Sequence, residues 1–168
     1  RTLIQGYDLG VFNKKLFFDI YGPITDDTYY KELMAEISEP LPPGINIRYI
    51  GVLEPSDVHG VLTNYHFMIL PTLDENFGYI IIEAALSGCV PIISQNTPWG
   101  EIDEIGAGHV IRLDGTRLPL GRFETIINEF NPSSHQEMQI NAQRYFSNII
   151  SDEKLVDSYL RMIGLTND

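Results

Sequence analysis

Cysteine, tryptophan and positive charge are all scarce in this chain of 168 residues, which has one Cys, one Trp and 11 Lys plus Arg against 23 Asp plus Glu. A lone Cys89 cannot close an internal disulfide, and it has no Cys or close His partner at metal-site spacing. Disulfide-stapled and zinc-ribbon classes are therefore excluded, and a reducing cytosol is the natural compartment. The formal net charge is −12, and the few basic residues form no run or stripe. That excludes broad affinity for nucleic acid phosphates or for an anionic membrane surface. Every apolar run is shorter than the roughly 20 residues a membrane-spanning helix needs, so no span is expected. Internal repeats and low-complexity tracts are absent. So are G-x-G-x-x-G and G-x-x-x-x-G-K-[ST], which disfavours a simple nicotinamide enzyme or a P-loop nucleotidase. Residue 1 is Arg, and no signal-peptide leader follows it, so the chain is expected to be a segment of a longer protein.

What is present is a hydrophobic content of 43%, enough for a substantial core in a chain of one-domain size, and residues 1–168 are expected to form one compact domain. Short β-rich runs recur at Leu16–Tyr21, Ile45–Ile50, His66–Leu70, Val90–Ser94 and His109–Leu113. Helical patterns lie between the first four. Residues 28–38 put Tyr30, Leu33, Met34 and Ile37 on one face behind Asp26 and Asp27 as caps, and residues 55–65 open on Pro55. A third helix over 78–88 closes at Gly88. Strands alternating with helices predict a Rossmann-like α/β fold, a parallel sheet with helices on both faces. After Leu113 only helices are predicted, over about 119–130, 134–150 with Ser134-x-x-Glu137 as a capping box, and 152–163. This forms a helical tail with no linker before it.

Sheets of this kind bind ligands beyond the carboxyl ends of their strands. Here those ends read Gly22-Pro23, Gly51-Val52, Pro71-Thr72-Leu73-Asp74-Glu75 and Gln95-Asn96-Thr97-Pro98-Trp99-Gly100. One residue stands out behind them. Glu83 sits among Ile80, Ile81, Ile82, Ala84, Ala85 and Leu86, and an unpaired buried carboxylate costs several kcal/mol. It must have a partner, be neutral, or meet a ligand's hydroxyls at the edge of a pocket. Asn76-Phe77-Gly78 leads into the same helix, whose first N–H groups and positive dipole end suit an anion such as a diphosphate. Glu83 lies roughly 8 Å further along the axis, and Glu75 lies on the other side of the anion site. Two carboxylates that accept from hydroxyls, flanking a phosphate position, describe a nucleotide-diphosphate sugar.

The stretch D-E-N-F-G-Y-I-I-I-E-A-A-L-S-G-C-V-P-I-I-S, with seven residues between Glu75 and Glu83, resembles the E-x7-E block of retaining GT-B glycosyltransferases of group 1, family 4. The likeness runs over about residues 16–113, through G-P, I-G-V, L-P-T and G-C-V-P-I-I-S at strand ends. It implies the donor-binding, C-terminal half of a GT-B fold, with the first strand and loop and the N-terminal acceptor domain missing. By resemblance Glu75 is the catalytic residue, contacting hydroxyls of the donor sugar. Asn76, Phe77, Gly78 and Tyr79 would present backbone amides to sugar and pyrophosphate, and Glu83 would hold the ribose hydroxyls. Gly51 and Val52 look like the base-binding edge, and Gly22 lines the cleft near the phosphates. The implied reaction transfers a hexosyl group from a nucleotide-diphosphate sugar to an acceptor hydroxyl with retention, in polysaccharide, lipopolysaccharide or glycoconjugate biosynthesis. No cofactor and no metal are implied, and no Asp-x-Asp pair is present. The acceptor, a sugar or a lipid-linked sugar, would be held by the missing half, which would also decide any attachment to the cytoplasmic face of a membrane. The family's Gly-Arg…Lys element lies upstream of this chain, so the piece is expected to bind donor without turning it over.

Plainer alternatives stand beside each of these residues. Glu83 could pair with a basic side chain or a backbone amide purely for structure, Glu75 could be a solvated carboxylate favoured by the helix dipole, and Asn76-Phe77-Gly78 could be a turn with a core Phe. Cys89 reads as a packed small hydrophobe, His109 as structural, and His59, His66 and His135 as residues with no constellation around them. Trp99 could line the pocket or sit at a hinge or edge. Two other functions remain open, a sugar-nucleotide epimerase or phosphorylase on the same architecture, and a nucleotide-sugar-binding module without turnover.

Overall fold

A computed structural model describes residues 14–38, 41, 43–115 and 119–151. The β-branched and aromatic runs form strands where their side chains alternate across a sheet. Strand β1 is Leu16–Tyr21, and it pairs in parallel with β2, Ile45–Gly51. Between them lies helix α1, Asp27–Ser38. Asp26 caps it, its carboxylate accepting from Thr28 N at 2.8 Å and Tyr29 N at 3.0 Å. Tyr30 meets Tyr49 of β2 edge to face, with ring centroids 5.2 Å apart. Helix α2, Pro55–Leu62, opens on the proline that the first turn tolerates.

Strand β3, Phe67–Leu70, pairs in parallel with β4, Val90–Ser94, and β4 also borders β5, His109–Ile111. Helix α3, Tyr79–Leu86, connects β3 to β4, which makes a βαβ unit. All five residues of β4 are buried, as a central parallel strand requires. Pro91 is among them, and its carbonyl oxygen lies 2.7 Å from where a Cβ on Gly108 would stand.

The fold is thus Rossmann-like α/β, with parallel sheets flanked by helices and a helical C-terminal part. Among the described residues the strands hydrogen-bond in two sets, β1-β2 and β3-β4-β5. The described residues form two compact units, the first including 14–38, 43–58, 111–115 and 119–130, the second including 59–110 and 131–151. The main core lies in the second unit. Ile81, Ala85, Ile102, Ala107, Ala142 and Phe146 are all fully buried there, and burying each large aliphatic side chain contributes roughly 1.5–3 kcal/mol.

Several sequence expectations need correction, the first being that α2 ends at Leu62 rather than at residue 65. Helix α4 is shorter than predicted, Leu120–Asn128. Helix α5, Pro132–Ile150, starts two residues before Ser134. Its cap is Asn131, whose side-chain oxygen accepts from Ser133 N at 2.9 Å and Ser134 N at 3.4 Å, with Pro132 at the first helical position, so the Ser134…Glu137 capping box is not used. Strand β5 ends at Ile111 rather than Leu113. The predicted helix over 152–163 lies outside the described residues. Among the described residues no helix is long and apolar enough to cross a membrane.

Candidate functional site

The loop leaving β3 turns into α3 at Gly78, and its backbone explains why glycine stands there. Gly78 caps the helix with φ 74 and ψ 58, in the left-handed region that side chains disfavour. A Cβ at this position would lie 2.6 Å from Ile81 Cδ1 and 3.1 Å from Glu75 Cγ. The turn is tight because Glu75 folds back over it, its carboxylate accepting from Phe77 N at 3.4 Å. Ile81 N already donates to Gly78 O at 2.8 Å, and the N–H groups ahead of it precede the i to i−4 ladder of the helix.

Glu83 is the fifth residue of α3. It is half-buried, whereas Ile81, Ala84 and Ala85 are fully enclosed, so it lies on the helix's one partly open stripe and not in the sealed core. One segment therefore carries a half-buried carboxylate in the loop, a helix N-terminus and a half-buried carboxylate further along the helix. Asn76 is exposed, and Tyr79 and Phe77 are half-buried with ring centroids 4.6 Å apart.

The loop after β4 is fastened to the loop after β3 at several points. Ser94, buried at the end of β4, donates its hydroxyl to Thr72 O at 2.6 Å. Glu75 N donates to Asn96 O at 3.2 Å, and the Asn96 side-chain amide donates to Thr72 O at 3.4 Å. Trp99 is 7% exposed, and its indole N–H donates to Phe77 O. Its ring meets Phe77 at 5.1 Å and Phe146 of α5 at 5.3 Å, both edge to face. Trp99 is thus neither a pocket wall nor an exposed edge, but a buried tie between loop and core. Beyond it, Tyr145 donates its hydroxyl to Glu101. Burial first, and then that hydrogen bond and the carboxylate's charge, hold the Tyr145 hydroxyl well above its ordinary pKa.

Gly22, Gly51 and Val52 belong to the first unit, Glu75 to Tyr79 and Glu83 to the second. In the first, the register slips between Ile20 and Tyr21, so that Tyr21 faces Gly51 and Ile50 bulges out, a device that re-aims strand ends. Gly22 N donates to Gly51 O at 3.0 Å, and the Tyr49 hydroxyl donates to Gly22 O at 2.8 Å. Nothing lies within 4 Å of where a Cβ would stand on either glycine, so both present open backbone. Val52 is 67% exposed.

Electrostatically the segment is one-sided, because the sequence holds no lysine or arginine between Arg48 and Arg112. Within this stretch no lysine or arginine would meet an anion at α3, which leaves the backbone N–H groups and the helix dipole as its main positive partners. Among the described residues no group of three His, Cys, Asp or Glu is placed to hold a metal ion.

A second cluster was not legible in the sequence. At the amino-terminal end of the second unit's sheet, Phe67 is ringed by His135 at 4.8 Å and His109 at 6.1 Å, and His66 meets His135 at 5.6 Å. His109 Nδ1 lies 3.8 Å from Asp103. Burial, followed by the charges of His66 and His109, lowers the His135 pKa to about 4. Cys89 is fully buried, and burial pushes its thiol up to about 12, which makes it the inert packed residue expected.

No protein-family model and no curated protein matches the chain. Solved structures do match in fold. TarM matches over 95% of this chain and 31% of its own length, at a TM-score of 0.67 and 18% identity. The Anabaena protein HepE, solved in complex with UDP-glucose, matches over 94% and 52%, at a TM-score of 0.66 and 16% identity. The pneumococcal O-GlcNAc transferase GtfA, in complex with UDP and GlcNAc, matches over 99% and 32%, at a TM-score of 0.59 and 19% identity. The chain therefore spans about a third to a half of the structures it resembles, and its architecture is that of one Rossmann-like half of GT-B glycosyltransferases with a C-terminal helix.

Proposed function

We propose that the chain is the donor-binding half of a group 1, family 4 glycosyltransferase that transfers a hexosyl group from a nucleotide-diphosphate sugar with retention. The observation that carries this is the segment 75–83, where Glu75, the N-terminus of α3 and Glu83 follow one another at the carboxyl end of β3. Further support comes from the fold shared with HepE and GtfA, solved with UDP-glucose and with UDP plus GlcNAc.

In the proposed mechanism the diphosphate rests against the first-turn amides of α3. These stabilise its charge as the bond to the anomeric carbon breaks, while the acceptor hydroxyl attacks on the same face and gives its proton to the departing diphosphate oxygen. Glu75, now folded onto Phe77 N, turns to accept from hydroxyls of the donor sugar. Glu83, further along the same helix, accepts from the ribose hydroxyls. No bound metal takes part. Since no cation lies between Arg48 and Arg112, neutralising the leaving group falls to basic residues elsewhere in the protein, and the acceptor, a sugar or lipid-linked sugar, is held by another domain. The product belongs to polysaccharide, lipopolysaccharide or glycoconjugate assembly at the cytoplasmic side of a membrane.

Calorimetric titration of the chain with UDP, GDP and ADP tests this. One nucleotide should bind saturably, and Glu83→Ala should weaken it by about 1–3 kcal/mol, the value of a charged hydrogen bond. No binding of any of the three at millimolar concentration would refute the donor assignment.

A further inference from the structure

Trp99 is the chain's one tryptophan, it is buried, and its polar atom is spent on a single target, the carbonyl of Phe77. That carbonyl shares a rigid trans peptide with the N–H of Gly78, the residue that caps α3. In a trans peptide the C=O and the following N–H point in opposite directions, so fixing one aims the other. Holding Phe77 O toward the indole turns Gly78 N–H away from it. The left-handed conformation of Gly78 then passes that orientation to the first turn of α3.

The anchor for this tie is firm. The ring is wedged between Phe77 and Phe146, and Phe146 is fully buried on α5. On the backbone side, Trp99 N donates to the Thr97 hydroxyl at 3.4 Å and Trp99 O accepts from Ile102 N at 3.3 Å, so the indole cannot follow Phe77 if the loop shifts.

We propose that Trp99 is a positioning residue for the diphosphate, acting through the Phe77–Gly78 peptide to aim the amides that receive it. The proposal rests on the donor-binding role proposed above. It separates the two ends of the ligand. Trp99 governs affinity for the diphosphate and leaves the nucleoside end alone, whereas Glu83 governs the nucleoside end.

The test compares the wild-type chain with Trp99→Phe, which keeps an aromatic ring and removes the N–H. Each is titrated with whichever of UDP, GDP and ADP the wild type binds tightest, and with the corresponding nucleoside, at a temperature where both proteins are folded. The diphosphate should bind about tenfold more weakly to the variant, in line with one lost hydrogen bond and one carbonyl left unpaired, while the nucleoside should bind unchanged. A loss that falls equally on both ligands, or on neither, overturns the proposal.

The wild-type protein supplies an independent readout should the variant fail to fold. Its one indole N–H gives one cross-peak in a 15N correlation spectrum, which should shift on adding the nucleoside diphosphate and stay in place on adding the nucleoside. A cross-peak unmoved by a diphosphate that calorimetry shows to bind overturns the role of Trp99 and leaves the donor assignment standing. Absence of binding by all three diphosphates overturns both.

Discussion

Replacing Gly78 with alanine adds a single methyl group where the loop becomes α3, and two separate costs follow. The first is conformational, because at φ 74 a residue with a Cβ is about 1–2 kcal/mol less favourable than glycine. The second is steric. The new methyl would lie 2.6 Å from Ile81 Cδ1 and 3.2 Å from Ile81 Cγ1, and Ile81 is fully buried, so relief requires repacking of the core at about 1–3 kcal/mol. Together these put the destabilisation at about 2–5 kcal/mol, a fall in melting temperature on the order of 5–15 °C for a chain of this size. Urea denaturation followed by circular dichroism measures it. Gly60→Ala is the internal control, since Gly60 lies inside α2 with nothing within 4 Å of its added methyl, and it should stabilise by roughly 0.5–1 kcal/mol. If Gly78→Ala stays within about 0.5 kcal/mol of wild type, the left-handed turn before α3 is wrong, and with it the aim of the helix N-terminus.

Three further expectations concern other parts of the molecule. His135 has a folded-state pKa near 4 against 6.5 for the ordinary group, so the unfolded chain takes up its proton first. Its contribution is complete above about pH 6.5 and is lost as pH falls towards 4, by on the order of 3 kcal/mol. His135→Gln should therefore shrink the difference in urea midpoint between pH 7 and pH 4.5, and an unchanged difference counts against the buried neutral imidazole. Asn131→Ala should cost about 1 kcal/mol and Ser134→Ala clearly less, because Asn131 is the cap of α5; the reverse order would restore the capping box. Cys89 should resist a thiol-specific disulfide reagent at pH 8 in the native state and react fully in urea, and fast native labelling would contradict its burial.

Leu16–Tyr21 and Val90–Ser94 are legible to the residue, because β-rich runs bounded by Gly22 and by Cys89 and Gln95 leave little freedom of register. The start of α5 was missed because Ser134 and Glu137 mimic a capping box, while Asn131-Pro132 two residues earlier combines a better cap with a proline already set for the first turn. Glu83 could be singled out by its apolar neighbours, but its half-exposed stripe depends on which sides of α3 meet β3, β4 and α5. The role of Trp99 needs Phe77, which is 22 positions away, and local spacing carries no trace of such a pair. The sole tryptophan in a T-P-W-G turn at the end of β4 was the available signal. The histidines around Phe67 come from two strand starts and a helix start far apart in the chain, so only the tertiary fold assembles them.

The proposed donor site can be located by 15N chemical-shift mapping of the chain titrated with UDP, GDP and ADP, and with the sugar conjugate of the one that binds. The largest shifts should fall on the backbone amides of Phe77, Gly78, Tyr79 and Ile80, with the conjugate adding a response at Glu75, and Glu83→Ala should reduce them throughout. Shifts that leave residues 75–83 untouched and gather at the histidines on the opposite end of the sheet, or no shifts with any nucleotide, would contradict a donor site at the start of α3.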